Sequence, residues 1–402
     1  MNRALERFLR YASIDTTSSE TGSGSPSTAG QWTLAKLLRD ELAELGANDV
    51  LLDENCYVYG RIPASKENLP VIALIGHMDT ADAVPGRSFK PQVKRYKGDD
   101  LTLNEEKGII LSARDFPVLS QYQGQELVVT DGTTVLGADD KAGVAEIMTA
   151  LELLVKHPDI PHGDVWAVFT PDEEIGSGAE LLQLDRIAAD FAYTVDGGAV
   201  NEIEYENFNA ANTRVFVKGR NVHPGYAKGL MVNAIKLAMR FHGLLPGDET
   251  PELTEGYEGF YHLRHITGTE EEAQMDYLIR EHDSALFEQR KQVFSEAAEK
   301  INRDYGAGTV KLDIKDSYFN MKEIILKHPH VLSRAQKAIR AAGMEPVSVP
   351  IRGGTDGARL SFRGLPCPNL GTGGVNFHSV YEFLPVDILD KVAEVLVEIV
   401  RE

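Results

Sequence analysis

An α/β fold is expected for this chain: a doubly wound, mainly parallel sheet interrupted by a small inserted domain. Three observations lead there. Up to about residue 205, apolar strand-like runs alternate with helix-like stretches. From 209 to 320 the order becomes strand, helix, strand, strand, helix, strand, the ferredoxin-like split unit. Two amphipathic helices then close the chain.

Taken in order, residues 3–14 put Leu5, Phe8, Leu9 and Ala12 on one helical face. Ser18 to Thr28 is Ser/Gly/Thr-rich and reads as a loop. A second helix is expected from about Ser27 to Leu45, stopped by Gly46. Four apolar runs read as strands: VIALIG (71–76), TVLGA (134–138), DVWAVFT (164–170) and FAYTV (191–195). Between the second and third, residues 142–157 read as a buried helix through Ala142, Ala145, Ile147, Met148 and Leu151. In the insert, NTRVFVKG, FYHLRHITG, AQMDYLIRE and TVKLDIKDSY are strands. VNAIKLAMRFHGLL is a helix, and so is 284–305, with Leu286, Val293, Phe294, Ala297 and Ile301 on its apolar face. HPHVLSRAQKAIRAAG and PVDILDKVAEVLVEIVRE return to the first domain. The boundaries read as 1–208 with 321–402 for the larger domain and 209–320 for the insert.

Composition narrows the function. The 402 residues are 43% hydrophobic and 25% charged, ordinary for a globular chain with a large core. A net charge of −20 argues against nucleic acid and anionic membranes as partners. The first fifteen residues mix charges through an amphipathic pattern, unlike a secretory signal, and no apolar run is long enough for a bilayer. Two cysteines, Cys56 and Cys367, provide no disulfide framework, so a cytoplasmic location is expected.

Each strand-like run ends in a potential metal ligand. VIALIG leads to His77 and Asp79, TVLGA to Asp139, DVWAVFT to Glu173 and Glu174, and FAYTV to Asp196. Ligands in open α/β sheets bind beyond the carboxyl ends of the strands. Each residue has a plainer reading too. His77 can be structural, Asp139 and Asp140 can cap the helix that follows, and the paired glutamates can form a solvated turn. Of the remaining histidines, His157, His162, His282, His328 and His330 read as surface residues, whereas His378 lies in a C-terminal loop. Together His77, Asp139, Glu174, Asp196 and His378 make five nitrogen and oxygen ligands for two metal positions sharing one carboxylate. Such a donor set suits zinc, with manganese or cobalt not excluded.

GHMDT, LGADDKAG, TPDEEIG, YTVDGG, NVHPGYAKGLMVNA and RGGTDGARLSF together resemble the peptidase T family of co-catalytic zinc peptidases, whose wider superfamily includes carboxypeptidase G and aminoacylase. The resemblance spans essentially the whole chain; TEGYEGFYHL, HPHVLSRAQKAIR and PIRGGTDGA are its family-specific parts. It implies a metallo-aminopeptidase that releases the N-terminal residue of tripeptides by attack of a water bridged by two Zn2+. One zinc would be held by His77, Asp139 and Asp196, the other by Asp139, Glu174 and His378. It implies Glu173 as general base, Asp79 orienting His77, His223 stabilising the oxyanion, and Arg280, Arg352 and Asn233 in the substrate pocket. It also implies a cis peptide between Asp139 and Asp140 and a short-peptide substrate, and it leaves a homodimer through the lid-like insert open. The rivals are an N-acyl amino acid deacylase of the same superfamily and a metal binder without catalysis. ADAVPGRSF after GHMDT and SVYEF after His378 depart from the family pattern; both are expected to stand clear of the ligands and the base.

Overall fold

The structure, a computed structural model, describes residues 3–402. The chain divides into two compact units: Met1–Tyr205 with Glu323–Val349 and Thr355–Glu402, and Glu206–Lys322 with Pro350–Gly354.

The first unit is built on an eight-stranded sheet. Its strand order is Asn48–Leu52, Val58–Ile62, Val165–Thr170, Ile72–His77, Phe191–Gly197, Asn369–Gly371, Glu202–Asn207 and Val347–Ile351, the last two carrying the chain into the second unit. The central strands pair in parallel, and antiparallel pairs flank them. Alternation along one strand shows how both faces are covered. Ile72 and Leu74 pack into the cluster formed with helices Arg3–Ala12, Ala138–Lys156 and Val386–Val400. Ala73 and Ile75 pack into the opposite cluster with Leu182, Ile187 and Leu360. Burial on both faces is why these strands read as unbroken apolar runs.

The second unit is a four-stranded antiparallel sheet in the order Phe260–Gly268, Glu272–Glu281, Asn209–Lys218 and Val310–Tyr318. Helices Ala234–His242 and Ser284–Tyr305 join its buried face in one core. Asn209–Lys218 alternates buried and exposed from Ala211 onward, the signature of a sheet covered on one side.

Several expectations need correction. TVLGA is not a strand; Thr134–Gly137 is irregular and the helix begins at Ala138. Strand–helix alternation also fails across 92–129, where Gln92–Arg95, Leu101–Asn104, Ile109–Leu111 and Glu126–Val129 are all strands. Runs of three or four residues are too short for a period of two to register. The second helix starts at Gly30, because Ser27 is held by Asp172 instead of capping it. On Ser284–Tyr305 the apolar stripe is set by Phe287, Phe294 and Ile301, and Leu286 is exposed. His162 and His282 are buried, each ring facing backbone carbonyls. No helix among the described residues is long and apolar enough to cross a membrane.

Phe169 is fully buried on the strand that leads into Asp172–Glu174. Phe169→Ala is expected to cost about 3–5 kcal/mol in urea unfolding, whereas Phe216→Ala, on the open face of the second sheet, stays within roughly 0.5 kcal/mol.

Candidate metal centre

Register brings the site together. Ile72–His77 and Val165–Thr170 run parallel with His77 opposite Thr170, so His77 and the turn after Thr170 share one edge of the sheet, to which Phe191–Gly197 adds Asp196. His77 is almost fully buried. Its Nδ1 lies 3.1 Å from the Asp79 carbonyl oxygen and 3.3 Å from Asp79 Oδ1. A proton held there leaves the Nε2 lone pair facing inward. Nε2 is 2.9 Å from Asp139 Oδ1 and 3.4 Å from Asp196 Oδ1. His378, on a loop, places its Nε2 3.0 Å from both Asp139 Oδ2 and Glu174 Oε1. Asp139 therefore stands between two imidazoles and offers one oxygen to each.

An imidazole nitrogen carries one proton at most and cannot serve two carboxylates. At His378 the hydrogen bond goes to Asp139, and Glu174 Oε1, shut off from solvent, is left without one. The ligand atoms of His77, Asp139 and Asp196 lie within 4.8 Å of one another, as do those of Asp139, Glu174 and His378. Converging nitrogens and carboxylates with an orphaned buried oxygen fit a divalent metal better than a hydrogen-bond network.

The electrostatics agree. The hydrogen bond to Asp139 and the adjacent carboxylate of Glu174 push His378 up to about 11, against burial. Burial alone would lower His77, but the charge of Asp196 and bonds to Asp139, Asp196 and Asp79 hold it well above its ordinary value. Burial would raise Asp139, yet its bonds from His378 and His77 hold it below the usual range. Asp196 is pushed up to about 7 by burial and by the charges of Asp139 and Glu174, with His77 opposing. Glu173 is raised well above a normal carboxyl, first by burial, then by the charges of Asp196, Asp356 and Glu174. Such a group takes up a proton readily.

Backbone anchoring holds these side chains in place. Asp79 is fully buried; Oδ1 accepts the Glu173 N–H at 2.9 Å and Oδ2 the Glu174 N–H at 3.2 Å. Asp172, at φ +57°, accepts from Ser27 N at 2.7 Å and Gln31 Nε2 at 2.6 Å. Asp140 accepts the His77 N–H at 3.0 Å, and the Asp139–Asp140 peptide is cis. Asp139 turns its oxygens to the two imidazoles, and Asp140 turns Oδ2 to the His77 N–H while its Oδ1 has no hydrogen-bond partner, which weighs against the capping reading.

Sequence reasoning missed Glu382. Only 1% exposed, it accepts the N–H groups of Leu136 (2.7 Å), Gly137 (2.9 Å) and Asp139 (3.2 Å). SVYEF thus reaches the backbone of a candidate ligand, contrary to expectation. A signal was available: an acid between Tyr381 and Phe383, both packed in an apolar cluster, needs buried donors.

His223, Asn233, Arg280 and Arg352 all lie in the second unit. His223 Nδ1 accepts from Gly225 N at 3.1 Å, which puts the proton on Nε2 as a donor. Asn233 Oδ1 caps the helix that follows, accepting from Lys236 N. Arg280 donates through Nη1 to the Ile279 carbonyl and lies 5.3 Å from the Tyr318 ring. Arg352 is more heavily committed: Nη1 donates to the carbonyls of Gly256 and Glu258, and Nη2 to the carbonyl and hydroxyl of Thr254.

Fold and cage define a metallopeptidase with a divalent-metal site. A model described as the peptidase dimerisation domain matches residues 205–309, and one described as M42 glutamyl aminopeptidase matches 123–238. Peptidase T of Caldanaerobacter subterraneus subsp. tengcongensis is 52% identical, covering 100% of this chain and 98% of that protein. Among solved structures, the aminopeptidase PepT of Bacillus cereus is 26% identical with a TM-score of 0.78, and a tripeptidase of Staphylococcus aureus is 25% identical with a TM-score of 0.78. Each alignment covers 99% of this chain and 97% of the other. The chain belongs to the peptidase T family, and it is a peptide hydrolase.

The raised His378 sets a pH dependence. An imidazole lifted from 6.5 to about 11 stabilises the metal-free fold fully below 6.5, and that stability is lost as pH rises through 11. A metal must displace this proton. Metal affinity is therefore expected to tighten from about pH 6 to 8 with proton release, measured by calorimetry in buffers of different ionisation enthalpy; His378→Ala releases fewer protons.

Proposed function

We propose that the chain is a cytoplasmic di-zinc aminopeptidase that removes the N-terminal residue from tripeptides. The observation carrying this reading is the pair of three-residue cages that share Asp139, beside a buried glutamate with raised proton affinity. In this reading His77, Asp139 and Asp196 hold one ion, and Asp139, Glu174 and His378 the other. Two divalent ions bound there supply Lewis acidity toward the scissile carbonyl and lower the pKa of water toward neutrality. Glu173 takes the proton of the attacking water and returns it to the leaving amine. Asp79 keeps the His77 tautomer that offers Nε2. The substrate class is supported by full-length similarity to peptidase T and by the tripeptidase neighbour.

The insert, 209–320, would serve as lid and dimerisation domain, in keeping with its family match. His223 would donate Nε2–H to the oxyanion, and Asn233 would line the pocket. Of the two arginines, Arg280 is the better reader of a substrate carboxylate, since both terminal nitrogens of Arg352 already donate to carbonyls. A planar guanidinium suits that bidentate task.

Glu173→Gln is expected to lower kcat by roughly 10²–10⁴-fold with metal content unchanged; loss of a metal would make Glu173 a ligand instead of a base. Arg280→Ala should raise KM for free tripeptides and leave C-terminally amidated ones nearly unaffected. Equal penalties would remove Arg280 from carboxylate recognition. Cleavage of N-acetylated tripeptides as fast as free ones would favour the deacylase alternative.

A further inference from the structure

Where a strand should carry Asp139 into the cage, the chain instead runs irregularly from Thr134 to Gly137. The neighbouring ligand His77 is placed by a sheet ladder, and Asp196 sits on a strand. Asp139 has no such support, although it is the carboxylate common to both candidate positions. Buried N–H groups need partners wherever the ladder does not supply them. Here the partner is one side chain. Glu382 Oε2 accepts from Leu136 and Gly137, and Oε1 from Asp139 itself.

Glu382 is itself fixed from both sides. Phe383 next to it is fully buried and pairs with Val129, and Tyr381 packs in the same apolar cluster. The carboxylate is thus held by a strand at one end and grips an irregular loop at the other. Asp79 does the same for the turn bearing Glu173 and Glu174.

We propose that Glu382 is a positioning residue for metal binding: its carboxylate takes the place of a missing β-strand and sets the backbone from which Asp139 reaches both ions. This rests on the di-metal reading above. Loss of the clamp loosens one carboxylate and so weakens both positions together. A defect in Asp196 or His378 would instead fall on one.

The test uses the full chain with Glu382→Gln and Glu382→Asp. Glutamine keeps the volume but turns an amide donor toward the Asp139 N–H; aspartate keeps the charge on a shorter arm. The first measurement needs no metal. Amide hydrogen exchange at Leu136, Gly137 and Asp139 in the metal-free protein should speed up in Glu382→Gln, while amides of the Ile72–His77 strand keep their protection. The second is titration with Zn2+ or Co2+ alone, where both sites should weaken by roughly 10–100-fold, with partial recovery in Glu382→Asp. The third is turnover at saturating metal, where kcat should fall with KM little changed. Unaltered exchange at those three amides would overturn the clamp. Faster exchange with wild-type affinity at both metal positions would overturn its role toward the metals. If wild-type protein bound no metal, the di-metal reading would fail, and the exchange measurement would still decide whether Glu382 holds the loop.

Discussion

The Asp79 carboxylate ties together parts of the site that come from different strands. It lies against His77 Nδ1 at the end of one strand and receives the backbone of Glu173 and Glu174 after the next. These contacts fix the ring face of His77 and the direction of two glutamates at once. Removal would leave two part-buried N–H groups without partners and leave the imidazole held at Nδ1 by the Asp79 carbonyl alone. Unsatisfied buried donors cost about 1–3 kcal/mol each, a sizeable part of a domain's net stability. The turn it anchors also carries Asp172 in the left-handed region, held in turn by Ser27 and Gln31. A loop distant in sequence thereby becomes part of the same support.

Such support is needed because the cage repels itself. Asp139, Glu174 and Asp196 converge with Glu173 close by. Two like charges 4 Å apart oppose each other by about 4 kcal/mol at an effective dielectric near 20. A few such pairs would consume the stability of a domain. The metal-free chain answers by holding protons: on both imidazoles, on Glu173, and on Asp196 near neutrality. Divalent cations answer the same repulsion by displacing protons. The cage geometry is thus imposed by backbone anchors, since its own charges favour dispersal.

Sequence reading singled out the residues of the candidate cage because most of them carry a local mark. His77 and Asp196 close apolar runs, the paired glutamates precede Gly176, and Asp139 sits between Gly137 and Gly143. The strand–helix order of 209–320 was equally legible, since Asn209–Lys218 and Glu272–Glu281 are covered on one face and alternate cleanly. What escaped depends on contacts made across the chain. Glu382 meets a loop some 245 positions away, and no spacing rule encodes that. The strands between 92 and 129 are too short to show a period, and TVLGA has the composition of a strand without a neighbour to pair with. Leu286 was misplaced by a small rotation: with Asp283 capping the helix, Phe287 takes the inward position.

The two arginines show how a cation near a glycine-rich turn can mislead. Arg352 precedes Gly353 and Gly354, a setting that suggests an exposed anion reader. Its guanidinium instead gathers carbonyls of Thr254, Gly256 and Glu258 and lies over Phe208 and Phe260. TEGYEGFYHL and the first residues of PIRGGTDGA, Pro350–Gly354, are thereby joined in the second unit. Arg280 has a different environment. It is half-buried at the end of an edge-to-centre hairpin, pairs in register with Phe260 and Ala210, donates to the neighbouring Ile279 carbonyl and lies against Tyr318. Burial lowers its proton affinity, yet a guanidinium keeps its charge under any physiological condition. A charge carried into a partly desolvated place is costly unless polar groups or an anion meet it. What a guanidinium touches, rather than its proximity to glycines, shows its part in the fold: Arg352 ties three backbone carbonyls together, and Arg280 holds one.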